Sequence, residues 1–266
     1  MSDASEWDFP NSATQPGSAA YYVVRFSLPE QQHALARWFA WFDHIDRIAA
    51  KANDPGVARL KLDWWREEAQ KMLDDQARHP IAEALSPQVQ KSTQVEQMHL
   101  ALNAIEQRIL RRQPQSLDEL HNQCEEQYGS RLMLLCGCSD ALPQASINKL
   151  GRHIAITRRL AELAQDLRDH YISLPADMLA TTRLEAEELE KPSQSQALAD
   201  LGNQLIESVG DIQLGMLADN QATLPATRYA AQSVRLARLL RKRGYATNRR
   251  HQLTPIGLLW SAWRAR

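Results

Sequence analysis

No stretch of this 266-residue chain alternates apolar and polar residues as a half-buried strand would, which excludes a sheet as its framework. Gly 10 and Pro 12 are few for the length, so there are few places where a helix is forced to stop. Excess charge is missing too. Lys+Arg 31 against Asp+Glu 32 leaves a net charge of -1, with no global electrostatic argument for nucleic acid or an acidic partner. No run approaches the roughly 18 uninterrupted apolar residues of a membrane span, and the expectation is a soluble cytoplasmic protein, at most peripheral to an inner membrane. Cysteine is scarce and odd in number. Cys124, Cys136 and Cys138 fit a reducing compartment, and Cys136-Gly137-Cys138 lacks the second ligand pair of a metal site, so buried thiols at a helix end are expected.

What is present is helix-forming sequence. Ala, Leu, Gln, Arg and Glu recur throughout, and the length allows one large domain. Residues 1–17 are polar and acidic, without the basic and apolar segments of a signal peptide, and are expected to be a disordered leader before a domain over 18–266. Pro29 opens a long helix ending near Asn53, and Asp54-Pro55-Gly56 turns the chain into a second over about 57–78. Further helices are expected over 89–112, from the Ser116-Leu117-Asp118-Glu119 capping box to Leu135, over 144–170, 196–217 and 227–243, and from Thr254-Pro255. Glu185 to Ser195 is expected to be a loop. About nine helices without a repeat period predict a single all-α bundle.

One apolar helical stretch carries charges that its periodicity does not explain. Trp38 to Lys51 contains Asp43, His44, Asp46 and Arg47, with Asp43 and Asp46 on one face and Arg47 a turn after Asp43. Either that face is a site, or it is a wet strip closed by an Asp43 to Arg47 pair. His44 and His153 are candidate acid-base groups, with satisfied structural histidines as the plainer reading. Trp38, Trp41, Trp64 and Trp65 are expected in the core rather than around a ligand. Arg238, Arg241, Lys242 and Arg243 crowd the last turns before Gly244, as a solvated helix terminus or a membrane-facing patch.

Four stretches, YYVVRFSLPEQQ, ARLKLDWWREE with HPIAEAL, ISLPADML, and RLARLLRKRGYATNRRHQLTP, occur in an order that resembles the squalene/phytoene synthase family, all-α enzymes that join two prenyl diphosphates head to head. The resemblance covers most of 18–266. It implies helices around a central cavity of the isoprenoid synthase type, with two D-x-x-x-D motifs facing each other at the mouth. Carboxylates four apart lie one above the other on a helix, where they hold Mg²⁺ against diphosphate oxygens.

This chain departs from both motifs. In the first, Asp46 keeps an acidic position, Ala50 replaces its partner, Arg47 replaces the second aspartate, and Asp43 stands where the family has an arginine. An aspartate about 4 Å from a diphosphate oxygen is repelled by roughly 4 kcal/mol at an effective dielectric of 20. In the second, Arg158, Ala161, Glu162 and Asp166 fall on the motif, keeping two carboxylates four apart. The resemblance therefore implies Asp46, Glu162 and Asp166 as the catalytic and Mg²⁺-holding set if the protein is active, and no cofactor otherwise. It implies Ser18, Tyr22, Asp43, Arg47, Arg158 and Tyr171 as substrate contacts. The pattern of loss is similar to a non-catalytic branch exemplified by a respiratory complex I assembly factor. Two expectations stand: a fold retained to bind a prenyl-like or lipid ligand or a protein partner, or a Mg-dependent prenyltransferase with a reduced acidic set.

Overall fold

The computed structural model describes residues 4–51, 54–138, 143–182, 184, 189, 196–214, 221–248 and 250–265. Among these every regular element is helical: α1 (Ala19–Arg25), α2 (Pro29–Ala50), α3 (Pro55–Leu73), α4 (Pro80–Leu85), α5 (Ser92–Ile109), α6 (Leu117–Cys124), α7 (Ser130–Leu135), α8 (Gln144–Arg168), α9 (Ala176–Thr182), α10 (Gln196–Glu207), α11 (Leu224–Lys242) and α12 (Pro255–Arg264). The all-α expectation holds. Most of the loop expected over 185–195 lies outside the described residues. The helix expected to reach Leu217 ends at Glu207, because Gly210 adopts φ +74° just beyond it.

Two long helices frame the interior. In α2, Leu35, Ala36, Trp38, Phe39, Trp41, Phe42 and Ile45 form a broad buried face, and Pro29 at the first position starts the helix without losing a backbone bond. In α8 the buried set is wider still, from Ile147 to Leu167, as expected of a helix with neighbours on most sides. It packs against α11 and against a π-helical turn, Glu125–Gly129, that joins α6 to α7. That last contact needs a glycine on α8. A Cβ on Gly151 of α8 would stand 2.4 Å from the Gly129 backbone nitrogen, closer than any side chain tolerates, so only glycine allows this approach. The approach sets Tyr128 and Arg131, on either side of Gly129, beneath the space between α2 and α8.

Ser116 caps α6 by accepting from the Glu119 amide, but Glu119 reaches the Gln115 amide rather than that of Ser116, one residue earlier than the capping box expects. The tryptophans divide. Trp38, Trp41 and Trp65 are buried, whereas Trp64 is 39% exposed, because α3 turns that side away from the bundle. All three cysteines are free and buried, and burial pushes their thiols up, Cys124 to about 11 and Cys136 and Cys138 to about 12.

The disordered leader is corrected by the structure. Residues 4–17 fold back onto α2: the Asn11 amide donates to the carbonyls of Trp7 and Ala36, its oxygen accepts from the Ala13 and Thr14 amides, and Thr14 is fully buried. Arg37 of α2 holds Asp8 at 2.8 Å. A polar composition gave no sign of this, since the segment is fixed by satisfied hydrogen bonds more than by apolar burial.

Candidate functional site

Between α2, α5, α8 and the Tyr128 turn lies a cavity of about 710 Å³. Asp43, Asp46, Arg47 and Ala50 reach it from α2, and Arg158, Arg159, Glu162 and Asp166 face them from α8. Ser18 and Tyr171 also line it. Eight of the nine residues singled out from the sequence thus meet in one place. Tyr22 does not: its ring lies edge-on to Tyr21 (5.3 Å) and stacks on Phe26 (6.4 Å), because the inward face of α1 is taken by Val23 and Val24.

The α2 residues are engaged with cations. Arg47 Nη2 lies 2.6 Å from Asp43 Oδ2, the one-turn pair that the sequence offered as the plainer reading. Asp46 has a partner that the sequence reading missed. Arg131 of α7 donates through Nη1 to Asp46 Oδ2 at 2.9 Å and through Nη2 to Oδ1 at 2.6 Å, a forked pair that uses both carboxylate oxygens. Burial opposes the charge on Arg131, but the Asp46 carboxylate outweighs it, with smaller help from Tyr128 and Tyr229, and the guanidinium pKa is pushed up. Its plane lies over Phe42 and Tyr128, 5.3 and 5.4 Å from their centroids. The one available signal was a lone arginine inside the apolar segment SRLMLL.

Across the cavity the carboxylates are looser. Glu162 lies 4.0 Å from Arg158, whose Nη1 donates to the Tyr229 hydroxyl at 2.8 Å. Asp166 is 4.0 Å from Arg108, and burial pushes its pKa up, offset in part by Ser173 and Arg108. Gln123 Oε1 accepts from Arg159 Nη1 at 3.2 Å, which leaves the buried Gln123 Nε2, on the same wall, with no acceptor. Arg131 Nε is likewise buried with none. Ser18 caps α1 by accepting from the Tyr21 amide, and the Tyr171 hydroxyl donates weakly to the Arg112 carbonyl at 3.5 Å.

The two histidines lie off this cavity. His44 points to an outer groove with Trp64 and Trp65, and its pKa is lowered, mainly by burial. His153 is buried with Nδ1 3.0 Å from the Ser233 hydroxyl, and burial pushes its pKa down to about 4. Neither stands where it could serve the cavity as acid or base.

The charge around the cavity is uneven. Arg47, Arg108, Arg131, Arg158, Arg159 and Arg250 line it against Asp43, Asp46, Glu162 and Asp166, six cations to four carboxylates. Both Asp46 oxygens are already taken by a fixed guanidinium. This arrangement does not fit a magnesium cluster bridged between α2 and α8, and among the described residues no three His, Cys, Asp or Glu side chains converge on a point that could hold a metal ion. It does suit an anion, because guanidinium groups outnumber carboxylates around it.

Comparison with known proteins agrees with the helical frame. No curated protein sequence matches the chain. A crystal structure of a dehydrosqualene synthase in complex with ligand superposes with TM-score 0.69 at 16% identity, covering 92% of this chain and 90% of that one. The squalene synthase HpnC from Alicyclobacillus acidocaldarius superposes with TM-score 0.74 at 15% identity, covering 88% and 92%. At such identities these likenesses speak for the isoprenoid synthase fold. The sequence pattern of squalene/phytoene synthases extends over residues 13–260, nearly the whole chain, and on that match this protein belongs to the squalene/phytoene synthase family.

Proposed function

We propose that the cavity binds an anionic ligand with an apolar tail, a prenyl phosphate or a phospholipid-like molecule, through its arginines, without head-to-head condensation. The forked Arg131 to Asp46 pair carries this reading. It puts a protein cation on the surviving acidic residue of the first motif, where the enzymes' chemistry needs a carboxylate free to hold metal. The surplus of guanidinium groups over carboxylates around the cavity adds to it.

The test supplies purified protein with farnesyl diphosphate, Mg²⁺ and NADPH. The expected outcome is binding that persists in EDTA, with no pyrophosphate release above background. Turnover that disappears in Glu162→Ala and Asp166→Ala would overturn the reading in favour of a prenyltransferase with a reduced acidic set. The observation favouring that alternative is that Glu162 and Asp166 both face the cavity one turn apart. A protein partner, as in the assembly-factor branch, is the further reading supported by the changes at Asp43, Ala50 and Ala161. A deletion strain with normally assembled NADH dehydrogenase would remove it.

A further inference from the structure

The C-terminal helix presents a surface that the cavity does not explain. Gly257, Ser261 and Ala262 of α12 are buried against the bundle, and Thr254 caps the helix by accepting from the Gly257 amide. The opposite face carries Ile256, Leu259, Trp260 and Trp263, exposed by 69, 36, 43 and 42%. Large side chains thus point outward and small ones inward, the reverse of what packing alone selects. The two indole rings meet edge-on at 5.4 Å, and Arg264 lies 5.2 Å over Trp260.

The segment that ends in this helix carries charge of one sign. Residues 221–266 hold nine arginines and one lysine and not a single Asp or Glu. Arg235 of α11 runs alongside α12, its Nε 3.4 Å from where a Gly257 Cβ would stand. Arg235 and Arg238 are exposed, and no described carboxylate pairs with them, whereas Arg241 is met by Glu207 at 3.1 Å. No described helix is long and apolar enough to cross a membrane.

We infer that α12 is an interfacial anchor that docks the protein on an anionic lipid surface. Tryptophans settle at the headgroup level with their rings in the apolar edge, and an amphipathic helix lying in that plane buries such a face without spanning. The surrounding cations supply the complementary charge, each worth about a fivefold gain in partitioning near an anionic surface. A second copy of this chain is a poorer occupant, because a two-fold contact would set cation against cation. The orientation also matters. Pro255 and Leu258 of α12 line a second cavity of about 380 Å³, which shares Arg158, Glu162, Tyr229 and Arg250 with the central one, so docking sets that space against the bilayer. The inference does not depend on what the central cavity binds.

Flotation of the full chain with vesicles tests it. With phosphatidylcholine containing about a third phosphatidylglycerol, the protein should float, and with phosphatidylcholine alone it should not. Trp260→Ser with Trp263→Ser should lower partitioning at least tenfold while leaving the circular dichroism spectrum unchanged. Arg235→Gln with Arg238→Gln should lower it by about 25-fold, two cations at fivefold each. The inference fails if wild-type protein stays in the bottom fraction, or if either double variant floats as well as wild type. It fails too if light scattering shows a wild-type dimer that the tryptophan variant splits, which would make α12 a self-interface.

Discussion

Arg131 and Asp46 stand 85 residues apart in sequence, yet the guanidinium of one closes on both oxygens of the other at 2.9 and 2.6 Å. The pair joins α7 to the cavity face of α2 and gives the two partners unequal burdens. Asp46→Ala strands a guanidinium that is only 5% exposed, and breaking a buried pair in this way costs ~3–5 kcal/mol. Because the carboxylate end of the pair is 42% exposed, water offsets part of that, and a loss of about 2 kcal/mol is expected. Arg131→Met should cost less, about 1 kcal/mol, since its side chain rests against Phe42 and Tyr128 and the abandoned carboxylate can hydrate. Urea unfolding of the two variants checks the order, and a larger loss for Arg131→Met would contradict it.

The frame of this site was legible in the sequence, and its wiring was not. Helical periodicity put Asp43, Asp46 and Arg47 on one face of α2 and Glu162 and Asp166 on one face of α8, and the structure turns both faces to the same cavity. Periodicity gives a face but no depth and no partner. Arg131 was invisible for that reason, because a lone cation in an apolar segment says that something must neutralise it without saying what. The same limit hid the packing of residues 4–17, whose anchor, the Asn11 side chain, works through five hydrogen bonds to atoms that no composition reveals.

Gly151 should be the least tolerant glycine. An alanine there places its Cβ 2.4 Å from Gly129 N and 2.6 Å from Gly129 Cα, backbone atoms that can yield only if α8 moves away. Overpacking of this kind costs ~1–3 kcal/mol and here should reach the upper end, about 3 kcal/mol. Gly137→Ala is the control: nothing lies within 4 Å of its Cβ, and only the positive φ of 77° is penalised, by about 1 kcal/mol. Melting curves of the two variants should separate clearly.

Acid should weaken the fold through His153. Burial lowers its pKa from the usual 6.5 of an imidazole to about 4 in the folded chain, so above pH 6.5 both states are neutral and the group contributes nothing to the pH dependence. Below 6.5 the unfolded chain takes up the proton that the folded chain refuses, and stability drops by about 1.4 kcal/mol per pH unit until about pH 4. Asp166 works in the other direction, because its raised pKa makes the folded chain bind a proton more readily than the unfolded one. Denaturant unfolding between pH 7 and pH 4 should therefore show a decline that His153→Asn makes shallower. An unchanged slope in that variant would assign the decline elsewhere.

The cavity's charge balance makes one prediction that runs against ordinary loss of function. Asp43 lines the space where an anionic headgroup would sit, and its carboxylate, 38% exposed, is met on one side by Arg47 at 2.6 Å. Asp43→Ala removes a repulsive charge and frees that guanidinium for the ligand, while the exposure of both groups keeps the cost to the fold small. Coulomb repulsion of roughly 4 kcal/mol at 4 Å and a dielectric of 20 is an upper bound, and solvent at this half-open site should reduce the effect to about 1 kcal/mol. Affinity for farnesyl diphosphate in EDTA should then rise about fivefold, measured by calorimetric titration, and the gain should shrink at high salt. A fall in affinity would mean that Asp43 acts with a cation to hold the ligand, which is the behaviour of a metal-dependent site rather than of an arginine-lined one.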